Sequence, residues 1–301
     1  VRLTHSSHRP KYGRKGMIQL CWLTKLDRSG HLPITVCELR YGTEPFQALL
    51  TSEAACRYPA EGGLVEICCE SDQQGHIIIL ELREVPQVLN LDLYSCAIAA
   101  LGKGRLPLLT RFIRLLGLIK APILQLFISY WGMHIKQFEA FLTMPASYQD
   151  HHAYTHGLLI HSLEVAELAY SNSVRLQHSS IECQVALVAG LFHDIGKIYS
   201  LSEAGIYGYQ TGAHECLNFA LLAEPLQQLA IADWDCHRML SSMLAPYARY
   251  RSEQYAIEAI FRNADHNSCQ SDRARQVFAD KPAHYRFTKA GNQMVWRLPS
   301  S

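Results

Sequence analysis

Two hydrophobic periods divide the chain. Between residues 17 and 86, apolar residues gather in the short runs MIQLCWL, PITVCEL, GLVEICCE and HIIILEL. These runs are rich in β-branched residues and are separated by turn signals such as DRSG, EGG and DQQG. The pattern predicts strands of a small antiparallel sheet or barrel, with an OB-like barrel among the options. From Val88 onward the apolar spacing becomes i, i+3, i+4. That period predicts helices near 88–101, 106–119, 122–142, 157–171, 181–194, 214–230, 235–246 and 253–266. Pro122 opens one of them and Pro145 lies beyond its end. Gly196 follows Asp194 where a helix-terminating glycine is expected. The closing stretch HYRFTKAGNQMVWRLP predicts a hairpin turning around Ala290-Gly291-Asn292. The expected fold class is α+β, a small β-rich N-terminal domain followed by an all-α domain.

Charge refines this division. Residues 1–31 carry Arg2, Arg9, Lys11, Arg14, Lys15, Lys25 and Arg28 against a single acid, Asp27, and are expected to form a basic arm. The β-rich domain is then expected over 32–87, a helical connector over 88–148, a chemistry-bearing helical domain over 149–280, and a hairpin or tail over 281–301. A second basic run, Lys103, Arg105, Arg111, Arg114 and Lys120, contains no acid. Arg14, Lys15, Arg111 and Arg114 are the candidate contacts to a phosphate backbone. Snorkelling over a core is the alternative use of the second run. The net charge of +1 over 301 residues does not mark the molecule as a whole as a polyanion binder, so the local distribution of charge is the more informative feature. None of the ten cysteines forms a C-x-x-C pair, which points to reduced thiols and a cytoplasmic setting. The most apolar stretch, Leu106 to Met133, is interrupted by Arg111, Arg114, Lys120 and Pro122, so no membrane span is expected.

The chemistry concentrates in LVAGLFHDIGKIYSL, residues 187–201. A histidine and an aspartate buried together at the end of an apolar helix are costly without a partner. A divalent metal is such a partner, since imidazole nitrogen and carboxylate oxygen both ligate it. Lys197 is placed to meet an anion in the same pocket. One adjacent pair does not hold a catalytic ion, so His161, on the inward face of the 157–171 helix, and Asp265, late in AIEAIFRNADHNS, complete the candidate set with His193 and Asp194. His214 and His237 are candidates for a second ion nearby. His151, His152 and His156 form a dense cluster before the ligand helix, with His152 and His156 the candidates for orienting phosphate or moving a proton. Asp194 and Lys197 join them as the catalytic set. The donor types suit Mn, Mg, Fe or Zn, as one ion or two. No G-x-x-x-x-G-K-[ST] loop and no G-x-S-x-G elbow occurs, so a nucleotide-driven motor and a serine hydrolase lack their machinery.

The ordered set His161, His193-Asp194, His214, His237 and Asp265 resembles the HD superfamily of metal-dependent phosphohydrolases. FLTMPASYQDHHAYTHGLLIHSLEVAELA, GLFHDIGKIYSL and NADHNSCQSD are similar to the HD-type domain of TraI/MobH-class conjugative relaxases, over roughly residues 138–272. The HHAY tetrad, and a β-rich segment ahead of the helical domain, resemble YhaM-type 3′-5′ exoribonucleases. Where both families show Gly-Gly-Leu-Leu, this chain has His156-Gly157-Leu158-Leu159. HSLEVA and the late Ala264-Asp265 with Ser268 favour the relaxase type. The resemblance therefore implies first a metal-dependent phosphodiesterase acting on nucleic acid, with single-stranded DNA or RNA and the conjugation machinery as partners. The alternative is a 3′-5′ exonuclease on RNA or single-stranded DNA. Hydrolysis of a small nucleotide and a non-catalytic nucleic-acid-binding module are the further alternatives.

Overall fold

Alternation along the early strands puts one side chain in two inward, and those inward positions close on each other. In the computed structural model, which describes residues 17–27, 34–51, 61–201, 214–246, 254–290 and 293–298, the strands are β1 (Met17–Asp27), β2 (Ile34–Tyr41), β3 (Glu44–Thr51), β4 (Gly63–Ser71) and β5 (Ile77–Glu84). They form a closed barrel in the order β1-β2-β3-β5-β4. β1 pairs with both β2 and β4, and β3 runs parallel to β5, with Leu49 opposite Ile78. This is the connectivity of an OB barrel. Cys21, Leu23, Leu39, Leu50, Val65, Ile67 and Ile79 fill its interior. A register shift between Leu23 and Lys25 breaks the strict alternation and lets Leu26 return to the core.

Two expectations need correction here. β3 has no counterpart among the four expected strands: Glu44, Pro45 and Gln47 mask an alternation that only Phe46, Ala48 and Leu50 carry. The barrel also starts at Met17, inside the stretch expected as an arm, because Leu20, Cys21 and Leu23 are buried core residues. Arg14 and Lys15 lie outside the described residues.

The chain divides into two compact units between Val85 and Pro86. The second unit contains α1 (Leu91–Leu101), α2 (Leu106–Leu116), α3 (Pro122–Gly132), α4 (Ile135–Thr143), α5 (Gly157–Arg175), α6 (Ser180–Phe192), α7 (Lys197–Ser200), α8 (Glu215–Leu221), α9 (Ala223–Ala232), α10 (Trp234–Leu244) and α11 (Ala256–Phe278). A short hairpin, β6 (Phe287–Ala290) with β7 (Gln293–Trp296), follows. The turn residues Gly291 and Asn292 lie outside the described residues. The expected 122–142 helix is broken at Met133 and His134, and the expected 214–230 helix at Leu222. α11 runs well past 266 because its polar second half is held by side-chain pairs such as Gln276 Nε2 to Asp272 Oδ2 at 2.6 Å.

α6 is the axis of this unit. A capping box between Ser179 and Glu182 starts it, and every residue from Cys183 to Phe192 is buried. Phe192 meets Trp131 and Phe127 edge-on at 4.7 and 5.7 Å. Gly190 permits the closest helix crossing, since a Cβ there would stand 2.5 Å from Ala166 Cα of α5. That contact carries His161 of α5 and the end of α6 to the same point. Among the described residues, no helix is long and apolar enough to cross a membrane.

Candidate metal centre

Four donor atoms from three helical regions converge at the end of α6. His161 Nε2 lies 3.1 Å from His193 Nε2, 3.2 Å from Asp194 Oδ2 and 3.2 Å from Asp265 Oδ1. His193 Nε2 lies 3.5 and 3.6 Å from the same two carboxylate oxygens. Donors about 2.0–2.1 Å from a tetrahedral ion are separated by about 3.3–3.4 Å, so the measured edges are those of a coordination shell. His161 and Asp194 are buried, and Asp265 keeps a third of its side chain open.

The outer nitrogen of each imidazole shows which atom faces inward. His193 Nδ1 lies 3.0 Å from the Gly190 carbonyl, which only accepts, so Nδ1 carries the proton. His161 Nδ1 lies 3.1 Å from Ser268 Oγ. The Ser268 hydroxyl already donates to Glu164 Oε2 at 2.6 Å, so it accepts from His161. Both Nδ1 atoms are therefore donors, and both Nε2 atoms face the centre, where a metal would take the place of any proton they carry. Hydrogen bonds of this kind fix a ligating histidine's tautomer and ring orientation. Two imidazole Nε2 atoms and two carboxylates facing one another require a cation.

The electrostatics agree. Burial works against a charged Asp194, but Lys197 and His193 beside it, with hydrogen bonds from His161 and His214, hold its carboxyl well below the usual range. Asp265 is likewise lowered against its burial by His161 and His193. Burial would lower His161, yet the Asp194 and Asp265 carboxylates outweigh it and raise the imidazole to about 9. A proton serves one of these donors, whereas a divalent ion serves all four.

Asp194 also links the centre to its surroundings. Its Oδ2 accepts from Lys197 Nζ at 2.6 Å, and its Oδ1 lies 2.7 Å from His214 Nε2. Lys197 and His214 thus both stand against Asp194. Gly196 acts differently from expectation. It is right-handed, at φ −60°, and does not terminate a helix by a left-handed turn. What it provides is space: a Cβ would stand 2.1 Å from the His214 carbonyl oxygen.

Asn218 is a positioning residue that sequence reasoning missed. Fully buried on α8, it accepts from Gly196 N at 2.8 Å and donates to the carbonyls of His193 and Leu244. A lone asparagine in LNFALL gives no sequence signal. Glu164, Ser268 and Asp272 were missed for the same reason, although HSLEVA and the late serine lie within motifs already singled out.

The remaining candidates are placed less centrally. His237 lies on α10, stacked on Trp234 and 3.3 Å from Ser241 Oγ, and does not join the cluster. His156 points its Nδ1 to the Leu142 carbonyl at 2.7 Å, away from the ligand atoms. Its left-handed φ of 69° accounts for glycine at the matching place in the resembled families. His152, also left-handed at φ 52°, is fully buried with Nε2 3.3 Å from Glu164 and Nδ1 3.7 Å from Asp272. Both histidines are buried in the loop ahead of α5, and the His152 ring lies 5.1 Å from that of His161. Arg111 pairs through two nitrogens with Glu167 on α5. Arg114 remains exposed. A groove of about 500 Å³, lined by Arg111, Leu115, Glu164, Glu167, Ser268 and Arg275, touches the outer partners of His161 and none of the metal-facing atoms.

Helices that deliver two histidines and two aspartates to one buried point define a metal-centred hydrolase architecture. Residues 158–267 match the family model described as HD domain, and this stretch contains all four donors together with Lys197 and His214. The match supports a metal-dependent phosphohydrolase. No curated protein and no solved structure matches the chain.

Proposed function

We propose that the chain is a metal-dependent phosphodiesterase acting on single-stranded nucleic acid. The observation that carries the reading is the four-donor centre, with both imidazole Nε2 atoms turned inward. When bound there, a divalent cation supplies an activated water and positive charge for a phosphate. His161, His193, Asp194 and Asp265 would hold it. Ser268 with Glu164 and the Gly190 carbonyl orient the imidazoles. Lys197 places a fixed positive charge at the same carboxylate oxygen, where it meets the charge that develops on phosphate oxygens.

Two observations favour a polymer over a free nucleotide. The first unit is an OB-type barrel, an architecture that recurs in oligonucleotide binding, and this support is by analogy. The tail from Lys281 to Leu298 has no acidic residue, and it exposes Phe287 and Trp296 beside Arg286, Lys289 and Arg297. Aromatic faces with cations around them suit stacking of single-stranded bases.

Between the two polymer readings, the barrel-then-HD order favours stepwise 3′-5′ trimming of the exoribonuclease type over relaxase nicking. Tyrosine attack has poor support near the centre. Tyr154 donates to Asp272 at 3.1 Å, and burial and that carboxylate push it up to about 12. The test is a gel assay of end-labelled DNA and RNA with Mn or Mg added, beside the Asp194→Ala variant. Metal-dependent ladders lost in Asp194→Ala support trimming, and a single product end supports nicking. Cleavage that persists in Asp194→Ala would sink the proposal, as would turnover of free nucleotides alone.

A further inference from the structure

His151 and Cys269 have no part in the proposed chemistry, yet both adjoin the centre. His151 Nε2 lies 3.3 Å from Cys269 Sγ, and Cys269 Sγ lies 3.6 Å from Asp265 Oδ1. The rings of His151 and His161 are 5.2 Å apart. Donor atoms of His151, His161 and Cys269 all fall within 4.8 Å of one another. From this geometry we infer a further cation position, held by His151 Nε2 and Cys269 Sγ and bridged to the first centre by Asp265. It rests on the proposed centre for that shared aspartate.

Distance, preorganisation and chemistry converge on it. A tetrahedral ion with sulfur at about 2.3 Å and nitrogen or oxygen at about 2.0–2.1 Å separates those donors by about 3.6 Å. Two of the three separations, 3.3 Å from His151 to Cys269 and 3.6 Å from Cys269 to Asp265, need only a small adjustment to match. Cys269 stands one turn after Asp265 on α11, so both side chains leave the same face. The loop carrying His151 is held against that helix from both sides. Asp150 accepts from Arg273 Nε at 2.6 Å, and the His152 backbone N–H donates to Asp272 at 2.5 Å.

Imidazole, thiolate and carboxylate form a softer donor set than the two-histidine, two-aspartate centre. It favours Zn or Co over Mg. On binding, the thiol proton leaves for solvent as the metal–sulfur bond forms, and nothing is oxidised or reduced. The competing arrangement is a hydrogen-bonded chain from His151 through the thiol to Asp265, which holds no ion.

Cobalt separates the two. Chelator-stripped full-length protein is titrated with Co(II) and followed by absorbance and bound-metal analysis. The inference expects a thiolate-to-cobalt charge-transfer band in the near ultraviolet. Cys269→Ser and His151→Ala should each lose that band and one equivalent of metal relative to wild type. Both should keep the weak visible bands of cobalt in the first centre. Wild-type protein that binds cobalt without the charge-transfer band overturns the inference and leaves the first centre standing. The same holds if both variants match wild type in band and stoichiometry. Protein that binds no cobalt at all overturns the proposed centre as well.

Discussion

A histidine becomes a ligand when its other nitrogen is committed elsewhere, and His161 shows how that commitment is built. Ser268 stands between His161 Nδ1 and Glu164, accepting from one and donating to the other. Removing the hydroxyl frees the ring to rotate or change tautomer without touching the metal-facing atom. Ser268→Ala is therefore expected to weaken metal binding about 10- to 100-fold, read by competition against a fluorescent chelator, while Ser268→Thr restores most of it. An unchanged affinity would show that packing alone orients the ring. Glu164 adds a dependence on pH. Burial opposes its charge, but His152, Ser268 and Arg275 lower it to about 2 from an ordinary 4.5. Its folded value lies below its unfolded one, so its contribution is complete above about pH 4.5 and is lost as the pH falls toward 2. Thermal melts between pH 6 and pH 2.5 should fall more steeply for wild type than for Glu164→Gln. Parallel curves would remove Glu164 as the source.

Elements explain why distant residues meet. The crossing of α5 and α6 depends on Gly190 lying against Ala166, with an added Cβ 2.5 Å from its Cα and 2.7 Å from its backbone nitrogen. Gly190→Ala must push the helices apart, and overpacking of this kind costs about 1–3 kcal/mol. The obstacle is backbone, so Ala166→Gly is not expected to rescue it. Equal melting temperatures for Gly190→Ala and wild type would refute the close crossing. This level also shows what the sequence makes legible. Helices with one strong apolar stripe, such as α2 and α10, stand out because burial imposes their period, and HDIGK stands out because ionisable groups are rare at a buried helix end. β3 hid behind Glu44, Pro45 and Gln47, and the polar half of α11 behind side-chain pairing that spacing does not reveal. His161, His193, Asp194 and Asp265 were all readable as one set. Their supports, Asn218, Ser268 and Glu164, were not, because ordinary polar residues acquire a function only through what they touch. The surroundings of His156 were illegible for a related reason: its left-handed backbone and its bond to Leu142 depend on the fold of the preceding loop.

At the scale of the whole molecule, affinity for a polymer must come from surfaces outside the centre, because net charge is only +1 and long-range attraction to polyanions is weak. Of the charged surfaces, the described part of the second basic run has Arg111 paired with Glu167. The tail hairpin exposes Arg286 and Lys289, while Arg297 is held by the Tyr285, Lys281 and Pro282 carbonyls, and the hairpin's Phe287 and Trp296 rings lie 4.9 Å apart on paired strands. Trp296 is 68% exposed, so it adds little to the core and its replacement should leave the fold intact. If bases stack there, Trp296→Ala removes about 1–3 kcal/mol per base, or roughly 5- to 150-fold in affinity for a single-stranded oligonucleotide. Phosphate contacts predict in addition that binding weakens steadily with salt, and that Lys289→Ala flattens that dependence while Trp296→Ala leaves its slope unchanged. Hydrolysis of a small chromogenic phosphodiester should be the same in all three proteins, because the ligand atoms are untouched. Fluorescence anisotropy across a salt series measures both effects. Full oligonucleotide affinity in Trp296→Ala would assign polymer recognition to another surface, with the OB-type barrel the next to test.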